Sequence, residues 1–411
     1  MSKQLKEYVR KKEDELVITA KTRAEAKIDQ PRSGDYRHPR DIDNARVLYS
    51  TSFRRLQGKM QLFAPGSLRF HRNRLTHSLE VAQVARSIAQ RLGMKDTTTV
   101  QTCALAHDLG NPPFGHAGEL VLSALGDLYF EGNAQTFRIL RWLEEKHHKY
   151  NGLNLTVRTL LGVCKYPYTS KQNNKKHLYE EARNSFGSDF KVVMDWSKKF
   201  DIPLRTIDCE VMDLADEIAY ASHDLEDALR QRFFNIDDLV HEFAHSPDYK
   251  TALPILDEVI KDAREFAMKA EARETADEFN SLFMKELASR IVHVLVCDIG
   301  LIKVKGKAEL GYMNHEKLAD GLKRLTFKAV KMRPVVMRYE RMGENVIRGL
   351  FAVYMDKSFN KDMVLLPANY RVKEKWERKV KDYISGMMDS FALEQFEKYY
   401  GEGSSKKLYH A

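Results

Sequence analysis

Four cysteines are all that 411 residues contain, and Cys103, Cys164, Cys209 and Cys297 stand far apart. Their intervals fit neither a zinc site nor a redox motif, so all four are expected to be buried thiols in a reducing compartment. Long hydrophobic runs are missing too. No stretch approaches the roughly 18 apolar residues of a membrane span, and the opening MSKQLKEYVRKKEDEL lacks the apolar centre of a signal peptide. The expectation is a cytoplasmic protein away from membranes. There are no internal repeats and no low-complexity linker. Alternation of apolar and polar residues, the mark of half-buried strands, is rare, with LIKVKG (301–306) a short exception.

What is present is helical periodicity in an ordinary globular balance, 43% hydrophobic and 30% charged, which is ample for a core. Lys and Arg outnumber Asp and Glu, 67 to 58, a formal charge of +9 that favours anionic partners such as phosphorylated small molecules or nucleic acid. Ile42, Ala45, Tyr49, Phe53 and Leu56 recur at helical spacing and predict one continuous helical face. A second helix is predicted from Leu79, Ala82, Ala85, Ile88 and Ala89, with Thr76 as its N-cap. A third carries Val100, Ala104 and His107 and stops at Gly110; a fourth carries Val157, Leu160, Leu161 and Cys164; a fifth carries Val211, Leu214, Ala215, Ile218 and Ala221. Residues 168–188 are rich in Lys and Asn and read as a mobile surface insertion. Leu282, Leu287, Ile291, Val294 and Leu295 predict core, residues 321–356 a basic amphipathic region, and the polar C-terminal residues a frayed tail. The fold class is all-α. The expected division is an N-terminal segment (1–39), a catalytic core (40–230) and a C-terminal helical region (231–411) that completes the pocket and the oligomer contacts.

Chemistry concentrates in CALAHDLGNPPFGHAGE (103–119). An apolar helix ends on adjacent His107 and Asp108, Gly110 and two prolines break it, and His116 and Glu119 follow. Neighbours on a helix point about 100° apart, so both can hold one ion only near the helix end. His77 and Asp216, each on another helix, are candidates to complete the set. Two imidazoles and two carboxylates suit Mn²⁺, Mg²⁺, Fe²⁺ or a similar ion. On the residues alone, hydrogen-bonded core histidines are an equal alternative.

The words FRRLQGKMQLF (53–63), RLTHSLEVAQVAR (74–86), AHDLGNPPFGHAGE (106–119), EGNAQTFRIL (131–140) and EVMDLADEIAYASHDLEDA (210–228) resemble, in order and spacing, the deoxyguanosine triphosphate triphosphohydrolase (dGTPase) family of the HD-domain phosphohydrolases. The resemblance covers about residues 40 to 230 and implies an HD-domain helical core. It implies that His77, His107, Asp108 and Asp216 hold one divalent metal, with His116 as catalytic histidine and Glu119 as its carboxylate partner. The implied reaction is hydrolysis of a deoxynucleoside triphosphate (dNTP) at the α-phosphorus, giving deoxynucleoside and triphosphate. The acid/base pair suits either duty, protonating the leaving oxygen or activating the water. By the same carry-over Arg74 and Lys165, with Tyr166 beside it, meet the phosphates. Tyr220 packs on the sugar, Asp224 accepts from its 3′-hydroxyl, and Gln61 and Leu62 also meet the sugar. Asn111, Asn133 and Gln135 line the pocket or brace His116.

The guanine edge has no assigned residue, so the range from dGTP alone to all dNTPs is open. The family forms homo-oligomers, often hexamers; some members use a dNTP effector and some bind single-stranded DNA. Rival readings are an HD-domain phosphatase or phosphodiesterase with another nucleotide substrate, and a nucleic-acid-binding protein with a relic site, motivated by the basic stretches 323–348 and 371–381.

Overall fold

The computed structural model describes residues 2–25, 34–61, 72–182, 187–269, 275–371 and 374–408. The chain is almost entirely helical. It runs through α1 (Lys3–Glu15), α2 (Pro39–Leu48), α3 (Thr51–Arg55), α4 (Arg74–Arg91), α5 (Thr97–Ala106), α6 (Gly115–Ala124), α7 (Gly132–Arg138), α8 (Val157–Val163) and α9 (Asp189–Phe200). It continues through α10 (Ile207–Ala219), α11 (Leu225–Arg230), α12 (Ile236–His245), α13 (Leu253–Met268) and α14 (Ala276–Asp298). After an antiparallel hairpin of β1 (Ile299–Val304) and β2 (Lys307–Tyr312) come α15 (Glu316–Lys331), α16 (Pro334–Met355), α17 (Trp376–Ser385), α18 (Asp389–Tyr400) and α19 (Ser404–Lys407). The first four residues of the predicted LIKVKG strand lie in β1, Lys305 and Gly306 form the turn, and KAELGY, unremarkable as a sequence, pairs with β1.

Helices α4, α5, α8 and α10 pack on one another and hold the first and larger apolar cluster. Side-chain caps set where they begin: Asn73 accepts from the Thr76 amide, Asp96 from Thr99, Thr156 from Thr159 and Thr206 from Cys209. Thr76 is thus not the N-cap of α4 but its third residue, returning a hydrogen bond to the Asn73 amide in a reciprocal capping box. Inside, Arg158 of α8 grips Asp208 of α10 through two bonds of 2.7 and 2.8 Å, a bidentate geometry that fixes one helix against the other. A second apolar cluster joins α6 to α16, α17 and α18 through Phe114, Val121 and Leu122 on one side and Val346, Ile347, Leu350 and Ile384 on the other.

Several expectations are corrected. The single face from Ile42 to Leu56 is two helices, because the Ser50 hydroxyl accepts from the Phe53 amide and starts α3, leaving Tyr49 exposed. Leu79 is exposed, while Ala82, Ala85, Ile88 and Ala89 are buried as expected. Cys297 is exposed; the other three thiols are buried. The polar stretch 168–182 is anchored rather than loose: Leu178 and Tyr179 are buried and the His177 ring stacks on Tyr129 at 3.7 Å. Near the C-terminus, Ser405 is buried and bonds Glu397, so residues 404–407 are helical. Among the described residues no helix is long and apolar enough to cross a membrane.

Candidate active site

Three helices deliver the buried cluster. His77 lies in the first turns of α4, His107 caps the C-terminus of α5 with Asp108 just beyond, and Asp216 sits near the end of α10. Asp216 Oδ1 is 3.1 Å from His77 Nε2 and 3.3 Å from His107 Nε2, and Asp108 Oδ1 is 3.4 Å from His107 Nε2. Ligand-capable atoms of His77, His107 and Asp108 all lie within 4.8 Å of one another. The His107 ring places Nδ1 2.6 Å from the Ala104 carbonyl. That contact puts the ring proton on Nδ1 and turns the Nε2 lone pair inward, the arrangement of a metal-ligating histidine. Among the described residues His107 Nε2 is buried and makes no hydrogen bond. An orphaned imidazole nitrogen beside two carboxylates fits a divalent metal well, and His77, His107, Asp108 and Asp216 would hold it.

Cations steady the carboxylates. Arg74 donates to Asp108 Oδ2 at 2.6 Å, and Lys165 donates to Asp216 Oδ2 at 2.6 Å while lying 3.2 Å from Asp213. Burial opposes ionisation of Asp108, but His107 and Arg74 outweigh it and pull its pKa down to about 2. Burial likewise opposes the charge on Asp216, yet Lys165 and His107 hold it well below the usual carboxylate range. For His107 burial disfavours the proton, and the two aspartates overcome that and raise its pKa.

Helix α6 presents the second pair. His116 Nδ1 lies 3.1 Å from Glu119 Oε2, and Glu119 Oε1 accepts from the Gly132 amide at 2.8 Å. Burial pushes Glu119 up, but the bonds from His116 and Gly132 win and lower its pKa. The His116 side chain is 55% exposed.

The two aspartates of the cluster and the His116–Glu119 pair face one cleft of about 1210 Å³, above the ~300–1,000 Å³ usual for small-molecule sites. Arg74, Asp108, Asn111, His116 and Glu119 line it, with Asn133, Lys165 and Tyr166. So do Asp216, Tyr220 and Asp224, although the helix carrying them is not uniformly α: it opens into a π turn at Tyr220–Asp224, a distortion frequent at functional sites. The Tyr220 ring centre lies 4.9 Å from that of His77. Asp224 is buried and its Oδ1 has no partner among the described residues. Burial and Asp227 push its carboxyl well above the usual range, against the pull of Arg72.

Other candidates sit elsewhere. Gln135 does not line the cleft. It is fully buried, donating to Asp382 Oδ1 at 3.0 Å and accepting from the Tyr179 hydroxyl at 3.0 Å. Gln61 is half-buried outside the cleft lining, and Leu62 lies outside the described residues. Sequence reasoning missed Asp213, Arg205 and Lys176. Asp213 precedes Asp216 by three residues, a helical spacing that places both beside Lys165 and was readable. Lys176, which donates to the Tyr166 hydroxyl at 2.9 Å at the cleft, belongs to the stretch read as a loose insertion. Tyr312, Lys323 and Phe327 of the C-terminal half also reach the cleft, and no motif announces them.

Two domain families match the chain: the HD domain over residues 74–269 and the phosphohydrolase-associated domain over residues 314–398. The first contains the whole histidine–aspartate cluster and the His116–Glu119 pair. Fold and site therefore define an HD-domain phosphohydrolase. A Vibrio cholerae serotype O1 protein named deoxyguanosinetriphosphate triphosphohydrolase-like protein 2 is 52% identical over 371 residues, covering 89% of this chain and 90% of that protein. Proteins named deoxyguanosinetriphosphate triphosphohydrolase-like protein from Nitrobacter hamburgensis and Rhodopseudomonas palustris (strain BisB18) are each 34% identical, covering 86% and 87% of this chain and 88% and 89% of their own lengths. The chain belongs to this deoxyguanosinetriphosphate triphosphohydrolase-like family of HD phosphohydrolases.

Proposed function

We propose that the protein is a divalent-metal-dependent dNTP triphosphohydrolase, acting on dGTP or a wider set of dNTPs and releasing deoxynucleoside and intact triphosphate. The observation carrying this reading is convergence: Asp108 and Asp216 of the histidine–aspartate cluster, the His116–Glu119 pair, and Tyr220 and Asp224 of the π turn all line one cleft. The names of the relatives point to the same substrate class.

A Mn²⁺ or Mg²⁺ ion at the cluster would polarise an α-phosphate oxygen and lower the pKa of a bound water. Arg74 and Lys165 bring fixed positive charge for phosphate oxygens, and Arg74 has the fork geometry that suits them. Hydrolysis joins a water oxygen to the α-phosphorus and breaks its bond to the 5′-oxygen, which departs as an alcohol once it gains a proton. His116 supplies that proton from Nε2. Glu119, accepting from Nδ1–H, fixes the tautomer and stabilises the imidazolium. The unpartnered Asp224 Oδ1 is an acceptor for the sugar 3′-hydroxyl, and Tyr220 packs against the sugar ring.

The test is product identification by ion-exchange chromatography after incubation with Mn²⁺ or Mg²⁺ and each dNTP, and GTP, singly and in mixtures. Deoxynucleoside with intact triphosphate is expected, while pyrophosphate or single-phosphate release refutes the reading. His116→Ala is expected to lower kcat by about 10²- to 10⁴-fold with metal binding intact, and unchanged turnover removes His116 from the chemistry.

A further inference from the structure

His116 is half-exposed, and its hydrogen bond among the described residues is to Glu119 on its own helix. Its position is therefore inherited from how α6 begins. That beginning is unusual. The N-cap residue is Phe114, whose side chain makes no capping bond and whose backbone is left-handed at φ 60°, ψ 24°. A bulky residue holds such a conformation only where its surroundings over-determine it.

The surroundings come from the far end of the chain. Asp389, the first residue of α18 and 275 positions away, accepts from the Phe114 amide at 3.0 Å through Oδ1. Its Oδ2 accepts from the Met60 amide at 3.1 Å and from the Tyr339 hydroxyl at 3.1 Å. The Tyr339 ring packs edge-on against Phe114, their centres 5.6 Å apart. Gly343 of α16 leaves room for the same ring, since a Cβ there would lie 2.3 Å from Phe114 Cγ. At the other end of the loop, buried Lys59 donates to the Asn111 carbonyl and to the Ser385 carbonyl. Loop 111–114, which joins the metal-ligand end of α5 to α6, is thus clamped at both ends by groups tied to residues 339–389.

We infer that Asp389, backed by Lys59 and Tyr339, is a positioning group for His116: it serves as a remote cap on α6 and sets the register of the acid/base pair against the metal cluster. The consequence for turnover rests on the catalytic role proposed above for His116; the positional effect does not. The experiment uses full-length protein carrying ring-labelled histidine, with the His116 resonance assigned by its loss in His116→Ala. In Asp389→Ala the His116 resonance is expected to move or broaden. kcat per folded molecule is expected to fall about a hundredfold, the scale of an ångström misplacement of a catalytic group. KM and Mn²⁺ affinity measured by calorimetry are expected to hold. Lys381→Met removes a buried α17 amine bonded to the Leu128 carbonyl and paired with Glu377, with no bond to loop 111–114 among the described residues, and is expected to leave the His116 resonance in place. An unmoved His116 resonance in Asp389→Ala overturns the inference, as does an equal disturbance in Lys381→Met. A displaced resonance with unchanged kcat supports the positioning role and instead refutes the chemistry assigned to His116. Should Asp389→Ala not fold, Tyr339→Phe, which keeps the ring and deletes one bond to Asp389, is read by the same resonance with a smaller shift expected and the same overturning outcome.

Discussion

Glu131 caps α7, accepting from the Ala134 amide at 2.8 Å and from the Asn133 side chain, and it is buried at the wall of the cleft. Burial and the nearby Glu119 carboxylate raise its pKa from 4.5 to about 7. The folded protein thus keeps this proton to near neutrality, whereas the unfolded chain gives it up near the ordinary value. Between pH 4.5 and 7 the native state binds more protons, so stability from this group falls as pH rises through that window and is flat above it. Glu131→Gln is expected to flatten the fall and to stabilise the protein above pH 7 by roughly 1–2 kcal/mol, less than the full linkage because one cap bond is weakened. Urea midpoints of both proteins across pH 4.5 to 8 decide the matter, and parallel curves would assign the slope to other groups.

At the level of elements, the end of α5 is stapled to α7. The Gly110 amide donates to Thr136 Oγ1 at 2.9 Å, and that hydroxyl donates to the His107 carbonyl at 3.0 Å. The backbones touch, for a Cβ on Gly110 would lie 2.1 Å from the Gly132 carbonyl and 2.2 Å from the Thr136 nitrogen. Gly110→Ala is expected to cost about 3 kcal/mol or more, since backbone and not a flexible side chain must move, and to weaken Mn²⁺ binding because His107 and Asp108 precede the staple. Calorimetric unfolding with metal titration checks both; wild-type values for both would show that the staple does not position these residues. The chain makes much of this architecture legible. The helix stripes and the grouping of His77, His107 and Asp108 follow from spacing and from the words around them, although α5 ends at Ala106, four residues before the expected stop at Gly110. Long-range partners do not. Gln135 sits inside a recognisable word, yet its amide is claimed by Asp382, 247 residues away. The break at Ser50 was hidden because an apolar period carries across a cap whenever the two helices share a core.

At the scale of the molecule, the candidate active site lies on a seam. His77, His107, Asp108 and Asp216 are held by helices of the larger apolar cluster, whereas α6, which carries His116 and Glu119, is packed into the smaller one with α16, α17 and α18. Ten residues of sequence thus span two cores, and the proposed chemistry needs the two in register. A metal ion would act on one side of this seam, tying α4, α5 and α10 together. Mn²⁺ at about 100 times its Kd is expected to stabilise the fold by about 2.7 kcal/mol, seen as a rise in Tm over the chelator-treated protein. Asp216→Ala is expected to lose that rise, because Asp216 Oδ1 is the atom that approaches both His77 and His107. His116→Ala is expected to keep it, since His116 belongs to the other core and holds no ligand position. If the rise survived in Asp216→Ala, the ion would have to bind without the α10 carboxylate, and the Lys165–Asp216 pair would then be a structural bridge between the segment just after α8 and α10, and not part of a metal centre.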